Sequence, residues 1–288
     1  MWVGQIMKWY SYVFLSLAAF LLTMGIAYAV GSRLVFLAVL LAFLISWIAY
    51  IPAYLFQTEK FYDLTGSIKY LLLTWFIYTL SYEFYGFNIG NLILATLITM
   101  WTLRLGSFLF MRIHKDGEDK RFRTIKTSAS QFFLTWTLSG MWVSLCSICA
   151  LTAIANPFGV TLNLITYIGI GLFFLGFAIE VIADQQKTAF RSISENKNRF
   201  ITSGLWAKSR HPNYLGEIIL WFAIAVISFS SLSGTQYIAL ISPIFTYLLL
   251  VYVSGVRMLE DRANTKWGND PEYQEYKTKT PVLLFKIF

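Results

Sequence analysis

The chain has 288 residues, of which 57% are hydrophobic and 13% are charged. Soluble domains carry about 25% charged residues, so this composition excludes an ordinary soluble globular protein and indicates that lipid is the main solvent. The formal net charge of +8 is concentrated in a few segments, which indicates contact with an anionic membrane surface.

Eight apolar segments are long enough, at about 20 residues each, to cross a bilayer as helices. The first has only Lys8 before it and no small-residue cleavage site, so we interpret it as a retained membrane helix rather than a signal peptide. The sequence therefore predicts an all-α integral membrane bundle of about 7–8 transmembrane helices, since helices satisfy their own backbone groups in lipid. The eight segments, of which the third and the seventh are the shortest, cover about 9–30, 34–56, 67–84, 89–111, 129–154, 160–183, 213–230 and 236–256.

The basic residues indicate how these spans are oriented. Of 23 Lys and Arg residues, six lie in 112–126, six in 187–210 and six in 257–286. Two spans separate each of these segments from the next, so all three emerge on one face, which the positive-inside rule identifies as cytoplasmic. Lys60 and Lys69 are expected on the same face. We expect a protein of the bacterial inner membrane whose basic segments contact membrane lipids, and we expect no nucleic-acid partner.

Polar residues near the third and fourth spans are the first candidates for chemistry. Glu59, Tyr62 and Asp63 precede the third span. Arg104 lies about eight residues inside the fourth apolar segment, where an arginine is expected to face protein and to pair with an acid. The candidate partners are Glu59, Asp63 and Glu83.

Two patterns are excluded as functional motifs. Cys146 and Cys149 form a C-x-x-C pair, but they lie on a predicted membrane helix without a βαβ pattern nearby, so we expect a packing role. Gly169, Gly171 and Gly176 resemble a dinucleotide fingerprint only superficially, because they lie inside an apolar helix rather than between a strand and a helix. We expect these glycines to serve helix packing. With only two histidines in the chain, no metal site is expected.

The inner end of the sixth span carries charges of both signs. Acids that face the interior of the bundle can accept hydrogen bonds from ribose or amide groups, and bases nearer the cytoplasm can meet phosphates. The alternative is a set of ordinary ion pairs on a solvated helix end. The charged residues share one helix face, with the acids deeper than the bases, and they are Glu180, Asp184, Lys187 and Arg191.

The segment before the seventh span is the most informative part of the chain. Residues 209–217 read Ser-Arg-His-Pro-Asn-Tyr-Leu-Gly-Glu. Pro212 is well suited to begin a helix, whose free backbone N–H groups form a candidate anion site together with Arg210. Asn213 and Glu217 lie one turn apart and point inward on the same face. The alternative is an interfacial anchor of Arg, His and Tyr side chains.

A third charged group follows the last span. Arg257, Glu260 and Asp261 share a helix face. An arginine at the end of a span can also snorkel to the membrane surface, which is the alternative interpretation. Taken together, the three inner groups suit a polyanionic ligand with ribose and amide parts that enters from the cytosol.

These residues are similar to those of the steroid 5α-reductase superfamily, specifically its uncharacterised bacterial branch with a steroid-reductase-like C-terminal domain. The resemblance implies a bundle of membrane helices that holds NADPH on its cytosolic side and reduces an activated C=C bond in a lipid or steroid-like substrate. In such reductases, the residues that match Asp184, Arg191, Asn213 and Arg257 contact the cofactor. The resemblance runs through 180–184, Arg191, 204–206, 210–214, 216–217, Arg257 and 273–281.

The resemblance and the charge pattern together predict two sets of site residues. The predicted catalytic residues are Glu59, Tyr62, Asp63 and Arg104, with Glu59 as the first candidate proton donor. We expect one membrane domain, 1–288, in which 1–128 forms the candidate substrate side and 129–288 the cofactor-binding part. The predicted cofactor-binding residues are Glu180, Asp184, Lys187, Arg191, Trp206, Arg210, His211, Asn213, Tyr214, Glu217, Arg257 and Asp261.

The chain departs from the family pattern at the proton donor. The steroid enzymes have a Gln-Glu dipeptide and a Tyr three residues before an Arg, as the resemblance implies. This chain has Gln57-Thr58-Glu59 instead, and Trp101 stands three residues before Arg104. An indole N–H donates a hydrogen bond but is not a practical acid.

The competing interpretation is an S-adenosylmethionine-dependent membrane methyltransferase of the isoprenylcysteine or phospholipid type, which carries a similar Arg-His-Pro-x-Tyr-x-Gly segment. Its cofactor is a sulfonium cation without phosphates. The acidic helix at 180–184 can serve an adenosine, but the basic lining from Lys187 to Arg210 is better suited to phosphates, which favours the reductase. A third interpretation is a lipid-binding protein without enzymatic activity, which the charges at bilayer depth disfavour.

Overall fold

The computed structural model describes the backbone of residues 2–285 and the side chains of residues 9–285. No strand occurs in this range, which confirms the predicted all-α class. Short 3₁₀ turns occur at Ser194–Asn196, Gly204–Ala207 and Gly234–Leu240, and Leu249–Val253 forms one π-helical turn. The α-helices are α1 (Trp2–Ala29), α2 (Arg33–Leu55), α3 (Tyr62–Tyr85), α4 (Ile89–Asp116), α5 (Phe122–Ile125), α6 (Ala129–Ile154), α7 (Leu164–Ser192), α8 (Pro212–Phe229), α9 (Ile241–Leu248), α10 (Val256–Trp267) and α11 (Pro271–Lys279).

The helical membrane bundle predicted from composition is confirmed. Among the described residues, seven helical segments are long and apolar enough to cross a membrane: Trp9–Ala29, Arg33–Leu55, Ile89–Asp116, Ala129–Ile154, Leu164–Ser192, Pro212–Phe229 and Gly234–Trp267. The third predicted span does form a 24-residue helix, α3, but it is not one of the seven. The charged residues within α3, which include Asp63, Lys69 and Glu83, make it less apolar than the others.

Local signals explain where several helices begin. α2 and α4 follow Ser32 and Asn88, whose side chains accept hydrogen bonds from backbone N–H groups of the first turn. α8 begins at Pro212, as predicted, because proline has no N–H to leave unpaired and its fixed φ suits the first turn. α11 begins in the same way at Pro271, after the capping side chain of Asp270.

The described helices form two compact units. Unit 1 consists of residues 1–163 and 228–242, and unit 2 consists of residues 164–227 and 243–288. α6 packs inside unit 1 against α1, α2 and α3. Its Cys146 and Cys149 have no exposed surface and do not form a disulfide with each other.

Lys69, which the sequence analysis expected on the cytoplasmic face, lies in the interior of unit 1. It is two turns inside α3 and fully buried, and its Nζ donates hydrogen bonds to Ser46 Oγ on α2 and Ser139 Oγ on α6, both at 2.7 Å. Hydropathy starts the predicted span near residue 67 and so misses the polar first turn of α3.

α7 and α8 approach each other closely within unit 2, and glycines make this possible. A Cβ atom on Gly176 would lie 2.6 Å from Gly216 O, and one on Gly216 would lie 2.6 Å from Glu180 N. A Cβ atom on Gly169 would lie 2.7 Å from the side chain of Ile227 on α8, so the predicted packing role of Gly169 and Gly176 is confirmed. The same prediction is wrong for Gly171, because no atom lies within 4 Å of the Cβ position on that side of α7.

Candidate functional site

The charged residues of α7 follow a gradient from the interior to the surface. Glu180 and Asp184 are 2% and 7% exposed, Lys187 is half-buried and Arg191 is exposed. The burial of the two acids disfavours the alternative of a solvated helix end. Lys187 Nζ lies 4.3 Å from the centroid of the Trp206 ring, a cation–π contact that holds the base at the rim of this face.

The turn Gly204–Ala207 fixes the position of that ring. A backbone N–H of the turn donates to Gln186 Oε1 on α7 at 2.9 Å, and Trp206 Nε1 donates to a carbonyl of α7 at 3.1 Å. Gly204 has a φ of +61°, and a Cβ atom there would lie 2.5 Å from the Gln186 side chain, so the turn requires glycine. The sequence analysis did not identify Gln186.

Arg210 and His211 both bind Glu260 of α10. Arg210 Nη2 lies 3.2 Å from Glu260 Oε2, and His211 Nε2 lies 2.7 Å from Glu260 Oε1. The backbone of Arg210 and the hydroxyl of Ser209 donate hydrogen bonds to carbonyls within residues 281–283, at 2.9 and 2.8 Å. Glu260, which the sequence analysis placed on the helix face of Arg257 without selecting it, is therefore the α10 residue that orients this segment.

Three buried polar atoms at the start of α8 have no hydrogen-bond partner among the described residues: Arg210 Nε, His211 Nδ1 and Asn213 Oδ1. Burial lowers the pKa of His211 despite the adjacent Glu260 carboxylate, so the imidazole is neutral at neutral pH. A neutral ring that donates from Nε2 to Glu260 leaves Nδ1 as a bare acceptor. The segment therefore offers one donor and two acceptors, which proteins rarely leave buried without partners.

The remaining predicted cofactor residues differ in exposure. Tyr214 stacks on His211 with ring centroids 5.9 Å apart, and Glu217 is buried one turn further along α8. Arg257 and Asp261 are exposed on α10, as Arg191 is at the end of α7. A cofactor role for these exposed side chains stays a prediction.

Unit 2 also has a surface cleft with a volume of about 660 Å³. It is lined by Ala207 and by side chains within 190–202 and 267–280, and none of the predicted cofactor residues lines it. Tyr276, on the wall of the cleft, donates its hydroxyl to Trp206 O at 2.6 Å. The cleft therefore adjoins the back of the turn that carries Trp206, whereas the unpartnered atoms belong to the start of α8.

The predicted catalytic residues lie in unit 1. Glu59 is 4% exposed, and its Oε2 accepts a hydrogen bond from Lys126 Nζ at 2.7 Å while its Oε1 accepts one from Asp119 N at 3.0 Å. The Tyr62 hydroxyl donates to Thr135 O at 3.0 Å. The Glu59 contacts join the segment before α3 to the connection between α4 and α6, and the Tyr62 contact joins the start of α3 to α6. A proton-donating role for Glu59 or Tyr62 stays a prediction.

The other two members of the predicted catalytic set lie near the same end of unit 1. Asp63 Oδ2 is 3.8 Å from Arg112 Nη2, and the Arg104 guanidinium is 5.6 Å from the centroid of the Phe108 ring. Trp101, three residues before Arg104, is 2% exposed and packs edge-on against another ring. Trp101 is therefore part of the core of unit 1.

The chain is a helical membrane protein of the steroid 5α-reductase-like group. Within that group, residues 49–280 match the model of a family described as "Protein of unknown function (DUF1295)", and the chain belongs to this family. The matched range includes every predicted catalytic and cofactor-binding residue.

Two relatives indicate how far the similarity extends. An uncharacterized protein of Schizosaccharomyces pombe is 25% identical over 244 residues, which cover 70% of this chain and 67% of the relative. The Delta(14)-sterol reductase of Saccharomyces cerevisiae is 27% identical over 135 residues, which cover 43% of this chain and 29% of that enzyme. This chain therefore matches less than a third of the sterol reductase. No solved structure matches the chain.

Proposed function

We propose that this protein is a membrane-embedded, NADPH-dependent reductase of an activated C=C bond in a lipid or steroid-like substrate. Membership of the steroid 5α-reductase-like group and the similarity to a sterol reductase support a membrane reductase. The structural observation that carries the cofactor assignment is the set of three buried, unpartnered polar atoms on Arg210, His211 and Asn213. The basic segments support a site that faces the cytoplasm, here of the bacterial inner membrane.

The chemistry of these atoms fits the parts of a dinucleotide. Arg210 Nε is a charged donor suited to a phosphate oxygen, and the half-buried Lys187 adds a second positive charge. His211 Nδ1 and Asn213 Oδ1 are acceptors suited to ribose hydroxyls or a carboxamide N–H. Because Glu260 binds both Arg210 and His211, it holds these groups in position before a ligand arrives.

The reaction assigns separate tasks to the two sets of residues. NADPH, when bound, supplies the hydride, and the protein supplies position, exclusion of water and a proton. Addition to the β-carbon of an enone develops negative charge on its carbonyl oxygen, so a hydrogen-bond donor at that oxygen stabilises the transition state. Glu59, Tyr62, Asp63 and Arg104 remain the predicted catalytic residues for this step.

Cofactor binding in detergent tests the proposal directly. NADPH should raise the melting temperature of the purified protein, and S-adenosylmethionine should not. Asn213→Ala removes one buried acceptor and should weaken NADPH binding by about tenfold, the value of one hydrogen bond. Asp184→Ala should also weaken binding. Asn198→Ala, which changes an exposed asparagine of the same unit, should leave it unchanged.

Two results would contradict the proposal. A response to S-adenosylmethionine without a response to NADPH would select the methyltransferase. No response to either ligand would remove the nucleotide site and favour a lipid-binding protein without enzymatic activity.

A further inference from the structure

Unit 1 contains a buried lysine side chain that the proposed cofactor chemistry does not use. Lys69 has no exposed surface, and its Nζ donates to Ser46 Oγ and Ser139 Oγ at 2.7 Å each. Ser46 Oγ in turn donates to a carbonyl of its own helix at 3.0 Å, so it offers Lys69 a lone pair and nothing more. In its protonated form the Lys69 amine carries three N–H donors, so one remains after these two hydroxyls.

Within residues 9–285, the Lys69 side chain has no counter-ion. Among the described residues no carboxylate lies within ion-pair distance of its Nζ, and hydroxyls are the acceptors that it has. A buried charge without a partner is costly in any protein, and a buried polar group without a partner calls for an explanation.

A second N–H donor, Trp136 Nε1, lies near the Lys69 and Ser139 side chains and has no acceptor among the described residues. Trp136 is fully buried three residues before Ser139 on α6, on the same helix face, and its Nε1 has no hydrogen-bond partner among the described residues. The Tyr62 ring packs edge-on against Trp136 with centroids 5.1 Å apart, and its hydroxyl donates to Thr135 O on the same helix at 3.0 Å. Donors from α3 and α6 therefore lie close to Ser139, and two of their N–H groups have no acceptor among the described residues: the third N–H of a protonated Lys69, and Trp136 Nε1.

We propose that Lys69 and Trp136 bind the carbonyl oxygen of the lipid-soluble substrate, and that Ser46 and Ser139 hold the Lys69 ammonium in position. The carbonyl identity of this oxygen rests on the proposed function, because reduction of an activated C=C bond requires a conjugated carbonyl. A carbonyl oxygen has two lone pairs and no proton, so it can satisfy both N–H groups at once. Lys69 is then a substrate-binding residue at the position where negative charge develops.

Matched pairs of probes that differ only in the carbonyl test this binding. The first pair is cholest-4-en-3-one and cholest-4-ene, and the second is a long-chain 2-alkenone and the corresponding alkene. Dissociation constants come from the probe-dependent shift in melting temperature of the full-length protein in detergent, without nucleotide. For at least one pair, the wild-type protein should bind the ketone about ten- to a hundredfold more tightly, as expected for a hydrogen bond to a charged group.

Lys69→Met is the decisive variant, with Lys60→Met, at an exposed lysine of the same unit, as its control. A methionine of similar length in place of a buried charge is often tolerated, so the variant should fold. It should reduce the preference for the ketone to about onefold, whereas Lys60→Met should keep the wild-type preference. Trp136→Phe and Ser139→Ala should each reduce the preference in part, and they decide the question if Lys69→Met does not fold.

Equal binding of ketone and hydrocarbon by the wild-type protein in both pairs would overturn the inference. So would an undiminished preference in Lys69→Met, or in both Trp136→Phe and Ser139→Ala. NADPH binding to the same preparations keeps this outcome separate from the proposed function. Normal NADPH binding without discrimination between probes rejects the Lys69 site alone, and discrimination without NADPH binding rejects the reductase alone.

Discussion

Replacing Gly176 by alanine should push α7 and α8 apart. The added Cβ atom would lie 2.6 Å from Gly216 O and 2.7 Å from Leu220 N, which are both backbone atoms of α8. No side-chain rotation relieves such a clash, so α8 must retreat by about 0.8 Å to restore a contact distance of 3.4 Å. Overpacking of this kind costs about 1–3 kcal/mol, and the gain in helix propensity from glycine to alanine offsets about 1 kcal/mol of it.

Gly171→Ala is a matched control on the same helix, because no atom lies within 4 Å of its Cβ position. The gain in propensity is common to both variants, so Gly176→Ala should be less stable than Gly171→Ala by about 1–3 kcal/mol. Thermal unfolding of both variants in one detergent measures this difference. Gly176→Ala should also bind NADPH more weakly, since Asn213 moves with α8 while Asp184 stays on α7. Equal melting temperatures for the two variants would refute the close approach of these helices.

Two further predictions concern single charged or titratable groups. Lys126→Met leaves the Glu59 carboxylate buried without its basic partner, so it should lower the free energy of unfolding by about 3 kcal/mol. The control Lys120→Met, at an exposed position, should change the free energy of unfolding by less than about 0.5 kcal/mol. Equal losses in a chemical unfolding series would contradict the ion pair. Burial lowers the pKa of His211, so the native protein binds fewer protons at this residue than the unfolded chain does. The contribution of the neutral His211 to stability is therefore complete above about pH 6.5 and is lost as the pH falls through the lowered native pKa. Melting temperatures between about pH 5 and 8 should show this loss in the wild-type protein and not in His211→Gln, and parallel profiles would exclude a titrating His211.

Features that depend on local sequence were predictable in this chain. Hydropathy identifies the long apolar helices, and the proline rule identifies Pro212 as the first residue of α8. The spacing of charges on α7 predicts both the shared face and the order of burial, from Glu180 at 2% exposure to the exposed Arg191. These features need only the period of a helix and the cost of placing charge in lipid.

Features that depend on which helices are neighbours were not predictable. Lys69 was assigned only to the cytoplasmic face, because one sequence does not show that a hydroxyl of α2 and a hydroxyl of α6 bind its amine. Glu260 was seen as a neighbour of Arg257 and not as the partner of His211, which is 49 positions away in the chain. Gly171 and Gly176 look equivalent in the sequence. They differ only because α8 packs against Gly176 and not against Gly171.

The transfer of hydrogen to a lipid tests the central claim most directly. The purified protein would be incubated with a membrane lipid extract and NADPH that carries deuterium at the reactive position, and the products analysed by mass spectrometry. A reductase predicts a lipid that gains one deuterium and one ordinary hydrogen, and Asn213→Ala should reduce its amount at low NADPH concentration. No deuterated lipid with NADPH, together with a methylated lipid when S-adenosylmethionine replaces it, would contradict the account.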